Sequence, residues 1–415
     1  MLVKRNRAIS TAASVTIVIL IVIAGIAAYY LYASSQPQPS KKTIGVVFDV
    51  GGRGDLSFND MAYLGATKAA QDFGLEVIGL QSPTQNDYVP NLEKLASSSN
   101  PPVIIIAVGF LLTDAVNKTA REFPNQKFAI IDGFVPGLPN VLNVGFKENE
   151  GSAVVGALAA FVSDCYSKKG MGQYAVGTVL GIPIPVLYKF EIGYKWGVHW
   201  AMNYSKEIGK PINNITVLYK YTNTFNDPTV GEQTALAQFQ QGAVVSYNIA
   251  GATGNGIFKA AQEIAQGKTM GPPFGIGVDS DQDWIAPGFI LASMEKRVDV
   301  GVYVATQLAI NGSWNDYVQK HQGVLELGMK QNGIKMSDVA DVQQFLQIAA
   351  QAGKSLNATD IMNKIQEMRN KVVQDCGPVY EYANTLANLI KTGQVNVPYV
   401  VTTDALNYWR NRLGG

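Results

Sequence analysis

The chain has 415 residues and a net charge of +1, with 33 Lys and Arg against 32 Asp and Glu, and it is 47% hydrophobic but only 16% charged. Length alone suits about two to three domains, and the charge balance leaves no electrostatic footprint for nucleic acid or another polyanion. Two histidines, His199 and His321, and two cysteines, Cys165 and Cys376, exclude a His-built metal site, a zinc ribbon and a disulfide scaffold. The two cysteines are either one bridge or a pair of buried thiols, and spacing leaves both open.

Lys4, Arg5 and Arg7 precede an uncharged stretch from Ala8 to Ser40, within which Ala12 to Ala33 reads AASVTIVILIVIAGIAAYYLYA. About twenty apolar residues span a bilayer. The basic flank places the N-terminus inside, and Tyr29, Tyr30 and Tyr32 suit the outer interface. Residues 1–40 therefore read as a membrane anchor and spacer, crossing through residues 12–33, with the body outside the cytoplasm at the cell membrane. The run is longer than the ~7–15-residue apolar core of a cleaved secretory signal. No cysteine follows it, so a bacterial-type lipid anchor is not expected. Arg7-Ala8-Ile9-Ser10 is similar to an archaeal pilin-type signal cut after Ala8, which would leave the helix in place.

From Lys42 the pattern becomes α/β. TIGVVFDV (43–50), LEVIGL (75–80), PPVIIIAVG (101–109), KFAIID (127–132) and NVLNVGF (140–146) read as strands, with helices over Leu56–Phe73 and Leu111–Phe123. Ser57 or Asp55 is the N-cap of the first of these. The order then restarts with a long apolar helix at Ser152–Tyr166. Strands QYAVGTVLG, ITVLYKY, AVVSYNIA, PFGIGVD and GFILAS follow, with helices between them and after the last, ending near Asn311. Strands alternating with helices of 10–15 residues imply parallel sheets. Beyond Asn311 the stretches at 337–351, 357–375 and 379–394 are amphipathic helices and read as an elaboration of the same body.

The loops argue against phosphate and against catalysis. Gly51-Gly52-Arg53-Gly54 and Gly251-Ala-Thr-Gly254-Asn-Gly256 match neither GxGxxG nor a Walker loop. There is no GxSxG elbow and no HExxH. Polar and aromatic residues instead collect at strand ends and in the turns and helix starts that follow them: Asp49, Phe58, Asn59, Asp114, Phe225, Asp279, Asp281 and Lys296. Ligands of open α/β sheets bind outside the carboxyl ends of the strands, and two such sheets face to face form a cleft. Asp55 and Asp114 read equally well as helix caps.

These stretches carry a resemblance. FDVGGRGDLSFNDMAYLGA and GIGVDSDQDWIAPGFILASMEKRVDVGVY resemble two motifs of the basic membrane protein family, substrate-binding proteins of ABC transporters whose characterised members bind purine nucleosides. NTFNDPTVGEQTA and NIAGATGNGIF match two more in the same order, and the similarity covers about residues 42–310. It implies a two-lobed periplasmic-binding fold of type I, each lobe a parallel sheet flanked by helices, added to the N-terminal transmembrane helix. The first lobe would be 41–146, completed by about 294–318. The second would be 147–293, with 319–415 as a helical elaboration. It further implies a monomer that is not an enzyme, needs no cofactor or metal, and delivers a purine nucleoside to an ABC permease and its ATPase. Phe58 and Phe225 would sandwich the base, Asp49 and Asn59 would offer a carboxylate and an amide to polar edges of the ligand, and Asp279 and Lys296 would hold the ribose. Asp114 and Gly251 would line the pocket. A sugar or another small solute in the same architecture, or a ligand-sensing receptor, is the alternative.

Overall fold

The computed structural model describes residues 11–35, 41–351, 353 and 356–414. The basic flank, the cut site after Ala8 and spacer residues 36–40 lie outside this set. Met1–Lys41 and Lys42–Gly415 are separate units. In the first, α1 (Thr11–Ser35) is a helix of 25 residues with no acidic residue in its first turn and no basic residue in its last. Its described apolar side chains Leu20, Val22, Ile23, Ile26 and Leu31 are all more than half exposed. Among the described residues no helix is long and apolar enough to cross a membrane. The span expected at residues 12–33 falls partly on side chains outside the described set.

The body is built on two six-stranded sheets. Its first layer comprises β1 (Thr43–Phe48), α2 (Phe58–Phe73), β2 (Glu76–Leu80), α3 (Tyr88–Ala96), β3 (Ile104–Val108), α4 (Thr113–Glu122), β4 (Phe128–Ile131) and β5 (Val141–Phe146). The second comprises α5 (Glu148–Lys168), β6 (Ala175–Leu180), α6 (Pro185–Glu207), β7 (Thr216–Tyr221), α7 (Pro228–Gln240), β8 (Ala243–Ile249), α8 (Gly256–Ile264), β9 (Phe274–Asp279) and β10 (Ile290–Lys296). The chain continues through α9 (Val298–Ile310), α10 (Trp314–Lys320), β11 (Val324–Leu327), β12 (Ile334–Met336), α11 (Val342–Gln351), α12 (Ala358–Cys376), α13 (Val379–Lys391) and α14 (Thr403–Arg412).

Strand order is β11-β5-β4-β3-β1-β2 in one sheet and β12-β10-β9-β8-β6-β7 in the other. Every pairing is parallel except β10 with β12. A parallel sheet covered on both faces demands continuous apolar strands. That is why β1, β3, β4 and β6 are buried along their whole length, while the edge strand β2 is partly exposed. The chain passes between the sheets after Phe146, after Lys296 and between Leu327 and Ile334.

Three features depart from the sequence reading. α3 follows a turn in which Thr84 and Asp87 cap each other; its single turn-rich approach, QSPTQND, hides the short helix behind it. The C-terminal region is not purely helical, because β11 and β12 add one strand to each sheet. Strands of four and three residues are too short to show a period. The strand expected at GFILAS runs on as far as Lys296, which closes β10.

The C-terminal helices are fastened to the second layer. Cys165 of α5 and Cys376 of α12 form a disulfide with Cα atoms 5.5 Å apart. Arg369 reaches the buried Asp283 at 2.9 Å, and Arg410 of α14 grips the buried Glu191 of α6 through Nε and Nη2, both at 2.7 Å.

Candidate functional site

The carboxyl ends of both sets of strands open onto one cavity with about 610 Å³ of empty space. Part of that space is open to solvent. Each strand end contributes a wall. β1 runs into Asp49 and Gly51, β3 into Gly109, and β4 into Asp132; from the other sheet, β8 runs into Gly251, β9 ends at Asp279 and β10 at Lys296. Phe58 and Asn59 open α2, and Phe225 comes from the turn before α7. The apolar wall is Phe110, Leu111, Ile184, Val186, Leu187, Phe190, Ile249 and Val278.

Of the residues singled out from the sequence, Asp49, Phe58, Asn59, Phe225, Gly251, Asp279 and Lys296 line this cavity and Asp114 does not. Asp114 sits exposed in the first turn of α4. The preceding turn Gly109–Leu111 takes the wall position instead, and Asp114 keeps the place of a helix-opening acid. Asp281 is buried and does not line the cavity. Asp55 fills both roles: it lines the cavity, and it accepts the backbone N–H groups of Ser57, Asn59 and Asp60 at 2.9, 2.8 and 3.2 Å. Ser57 makes no cap bond.

Asp132 is the polar wall residue that the sequence reading passed over. It ends KFAIID in the same way that Asp49 and Asp279 end their strands, so the signal was present. Asp132 and Asp279 both adopt left-handed backbone, φ 66° and 64°, which turns each acid off its strand at the cleft.

Two close approaches shape the pocket. Gly181, just after β6, lies against the Phe225 ring, and a Cβ there would fall 2.1 Å from ring carbon Cε1. Gly109, at φ 113°, packs against the Asp49 carboxylate, where a Cβ would come within 2.9 Å of Oδ2.

The amide of Asn59 is oriented by its neighbours. Its Nδ2 donates to Asp49 Oδ1 at 2.9 Å and Asp55 Oδ2 at 3.1 Å. A flipped amide would set oxygen against two carboxylates, so Oδ1 is the atom left over. Asn59 Oδ1, Asp132 Oδ1 and Asp279 Oδ1 are buried without a hydrogen-bond donor among the described residues. Burial of an unsatisfied acceptor costs ~1–3 kcal/mol. Three in one cavity create a demand for a ligand rich in N–H and O–H donors.

Lys296 is the fixed cation of the floor. Its ammonium pairs with Asp132 and lies 2.9 Å from Glu148 Oε1, and rings of Phe58, Phe146 and Phe190 stand with centroids 5.0, 5.2 and 5.6 Å away. Burial draws its pKa down, but Asp132, Glu148 and Asp279 outweigh that and hold it above the ordinary lysine value. Glu148 opens α5 at the first crossing and also pairs with Lys189. Burial pushes Asp279 up to about 7, against the pull of Lys296 and the Ser57 hydroxyl. Burial likewise raises Asp49, against the amide of Asn59 and the backbone N–H groups of Gly51 and Gly52.

Two parallel-sheet lobes, linked by repeated crossings and enclosing a buried pocket at their strand ends, define a solute-binding protein of the periplasmic-binding type. Residues 42–381 match the family described as Bmp, ABC transporter substrate-binding protein PnrA-like, and the chain belongs to that family. A relative from Pyrococcus horikoshii, named an uncharacterised lipoprotein, is 38% identical over 355 residues, 85% of this chain and 82% of that protein. Basic membrane protein D of Borreliella burgdorferi is 29% identical over 312 residues, 73% of this chain and 80% of that one. The crystal structure of an ABC transporter solute-binding protein from Aeropyrum pernix is similar with a TM-score of 0.79 and 33% identity, covering 90% of this chain and 97% of that one.

Proposed function

We propose that this solute-binding protein captures a purine nucleoside between its lobes, releases it chemically unchanged to an ABC permease, and acts as a monomer. The observation that carries this reading is the pairing of Phe58 and Phe225, one from each lobe, with buried acceptors that lack donors. A flat heterocycle offers a face to each ring, and stacking a base on an aromatic side chain is worth ~1–3 kcal/mol. Asp49 and Asn59 Oδ1 take donors from the base edge. Asp279, Asp132 and the remaining N–H of Lys296 take the sugar hydroxyls. The lobes are taken as 41–146 with about 294–318, and 147–293. Four carboxylates, Asp49, Asp55, Asp132 and Asp279, face a single lysine that is already paired. That balance disfavours a phosphorylated ligand.

Calorimetric titration with guanosine at pH 6 and pH 8 tests the reading. Hydroxyl donors favour the ionised form of Asp279, which burial pushes up to about 7. Binding at pH 6 must therefore expel a proton that is mostly absent at pH 8. Affinity should rise from pH 6 to pH 8, with proton release at the lower pH, and chromatography should return intact nucleoside. Absence of binding, or release of free base, would refute the proposal.

The tether is the second part. The relative in P. horikoshii is named a lipoprotein, but Cys165 and Cys376 are joined to each other and no other cysteine exists to carry a lipid. Residues 12–33 supply the uncharged apolar run instead. In detergent phase separation the full chain should enter the detergent phase and a version lacking residues 1–40 should stay aqueous. Both in the aqueous phase would contradict the anchor.

A further inference from the structure

The glycine-rich loop between β1 and α2 does more than carry pocket residues. Its backbone carbonyls are gripped by side chains of the opposite lobe. Leu56 O accepts from Ser280 Oγ at 2.7 Å and from Gln282 Nε2 at 3.1 Å. Asp55 O accepts from Asn255 Nδ2 at 3.0 Å, and Val50 O from Asn226 Nδ2 at 3.2 Å. In return Ser57 Oγ reaches Val278 O and Asp279 Oδ2, both at 3.0 Å. Leu56 adopts φ 56°, an unusual backbone for a branched apolar residue, and its carbonyl takes two of these bonds.

The donors are themselves held in place. Gln282 Oε1 accepts from Val278 N at 2.9 Å and Asn248 Nδ2 at 3.2 Å, while its Nε2 also bonds Asn255 Oδ1 at 3.1 Å. Ser280 and Gln282 are fully buried, so water does not replace the bonds while the lobes are together. None of Asn226, Asn255, Ser280 and Gln282 lines the cavity.

We propose that Asn226, Asn255, Ser280 and Gln282 form a closure latch: positioning residues that stabilise the closed lobes without touching the ligand. They raise affinity by raising the fraction of molecules already closed, because apparent affinity scales with the population of the competent state. The latch reads main-chain carbonyls, so it acts the same for whichever ligand fills the pocket. Its placement beside Ser57 and Asp279 connects it to the pocket, since Asp279 offers one oxygen to Ser57 and the other to the cavity.

The test uses Ser280→Ala with Asn226→Ala, two changes that remove latch donors and leave the Gln282 network intact. Spin labels at the exposed positions Gln85, which follows β2 in the first lobe, and Thr229, in the first turn of α7 in the second, report lobe separation in the ligand-free full-length protein. Wild type should show a populated short distance. The double variant should lose it to a longer one with an unchanged circular dichroism spectrum and melting midpoint, and guanosine should restore it. Its guanosine dissociation constant should rise by ~3- to 30-fold, mostly through faster release. Identical ligand-free distances in variant and wild type would overturn the latch. That comparison needs no ligand, so it stands or falls separately from the nucleoside reading.

Discussion

Phe58→Ala should weaken nucleoside binding by ~5- to 150-fold, the equivalent of one base–aromatic stack of ~1–3 kcal/mol, and Phe225→Ala should cost a similar amount. Both rings line the cavity from opposite lobes, so on the proposed reading each would supply one face of a sandwich completed by closure. Removing either ring also removes part of the reward for closing. The loss should therefore appear as faster dissociation more than slower association. Phe58→Leu keeps apolar area but no ring and should fall between wild type and alanine. Phe58 additionally stands 5.0 Å from the Lys296 ammonium, so a stability measurement must accompany the titration. Unchanged binding in a well-folded Phe58→Ala protein would remove the sandwich from the account.

Lys296→Met should lower the stability of the body by ~3–5 kcal/mol, the usual cost of stripping one partner from a buried ion pair. The lysine is 1% exposed and sits between Asp132 and Glu148 at the end of β10, where the chain leaves the second sheet. Glu148 keeps Lys189 when Lys296 is gone. Burial already raises Asp132 above the ordinary carboxylate value, with Lys296 the largest opposing pull. In the variant that pull disappears and Asp132 holds its proton to higher pH. The penalty should be largest at pH 8 and shrink as the pH falls, because the stranded Asp132 of the variant takes up its proton at a higher pH than the paired Asp132 of the wild type. Adding Asp132→Asn should recover part of the loss, because no buried charge is then left alone. Denaturant unfolding of the single and double variants checks this; a single variant as stable as wild type would show that the cluster is not the structural floor of the cleft.

Much of the fold was legible because parallel sheets buried on both faces write themselves as apolar runs. TIGVVF, VIIIAV and FGIGVD could scarcely be anything else. The edge strands β11 and β12 were not legible: each is three or four residues long and earns its place by pairing with a strand far away in sequence. The pocket was readable where a strand end or the start of the next helix carries a polar or aromatic residue, as at Asp49, Asp279 and Phe58. Asp132 carried that same mark and was passed over. Asp114 carried a helix-start mark that means capping as often as binding, and its side chain faces outward. The orientation of the Asn59 amide and the grip of Ser280 and Gln282 on Leu56 lie beyond any single-sequence pattern. They depend on contacts between residues 4 to 226 positions apart. The same holds for the Cys165–Cys376 bridge, 211 residues long.

The glycines of the loop between β1 and α2 match no phosphate-binding pattern and have another use. They turn the chain so that Asp49 and Asn59 face the cavity while the carbonyls of Val50, Asp55 and Leu56 face the other lobe. On the proposed reading, one loop would thereby serve both the ligand and the closure that retains it.

The most direct test of the nucleoside reading is thermal stabilisation against a panel of purine and pyrimidine nucleosides, free bases, nucleotides and free sugars. A purine nucleoside at 100 times its dissociation constant should stabilise the protein by ~2.7 kcal/mol, with the free base and ribose much weaker and the nucleotide weakest. Stabilisation by a sugar with no response to any nucleoside would contradict the account.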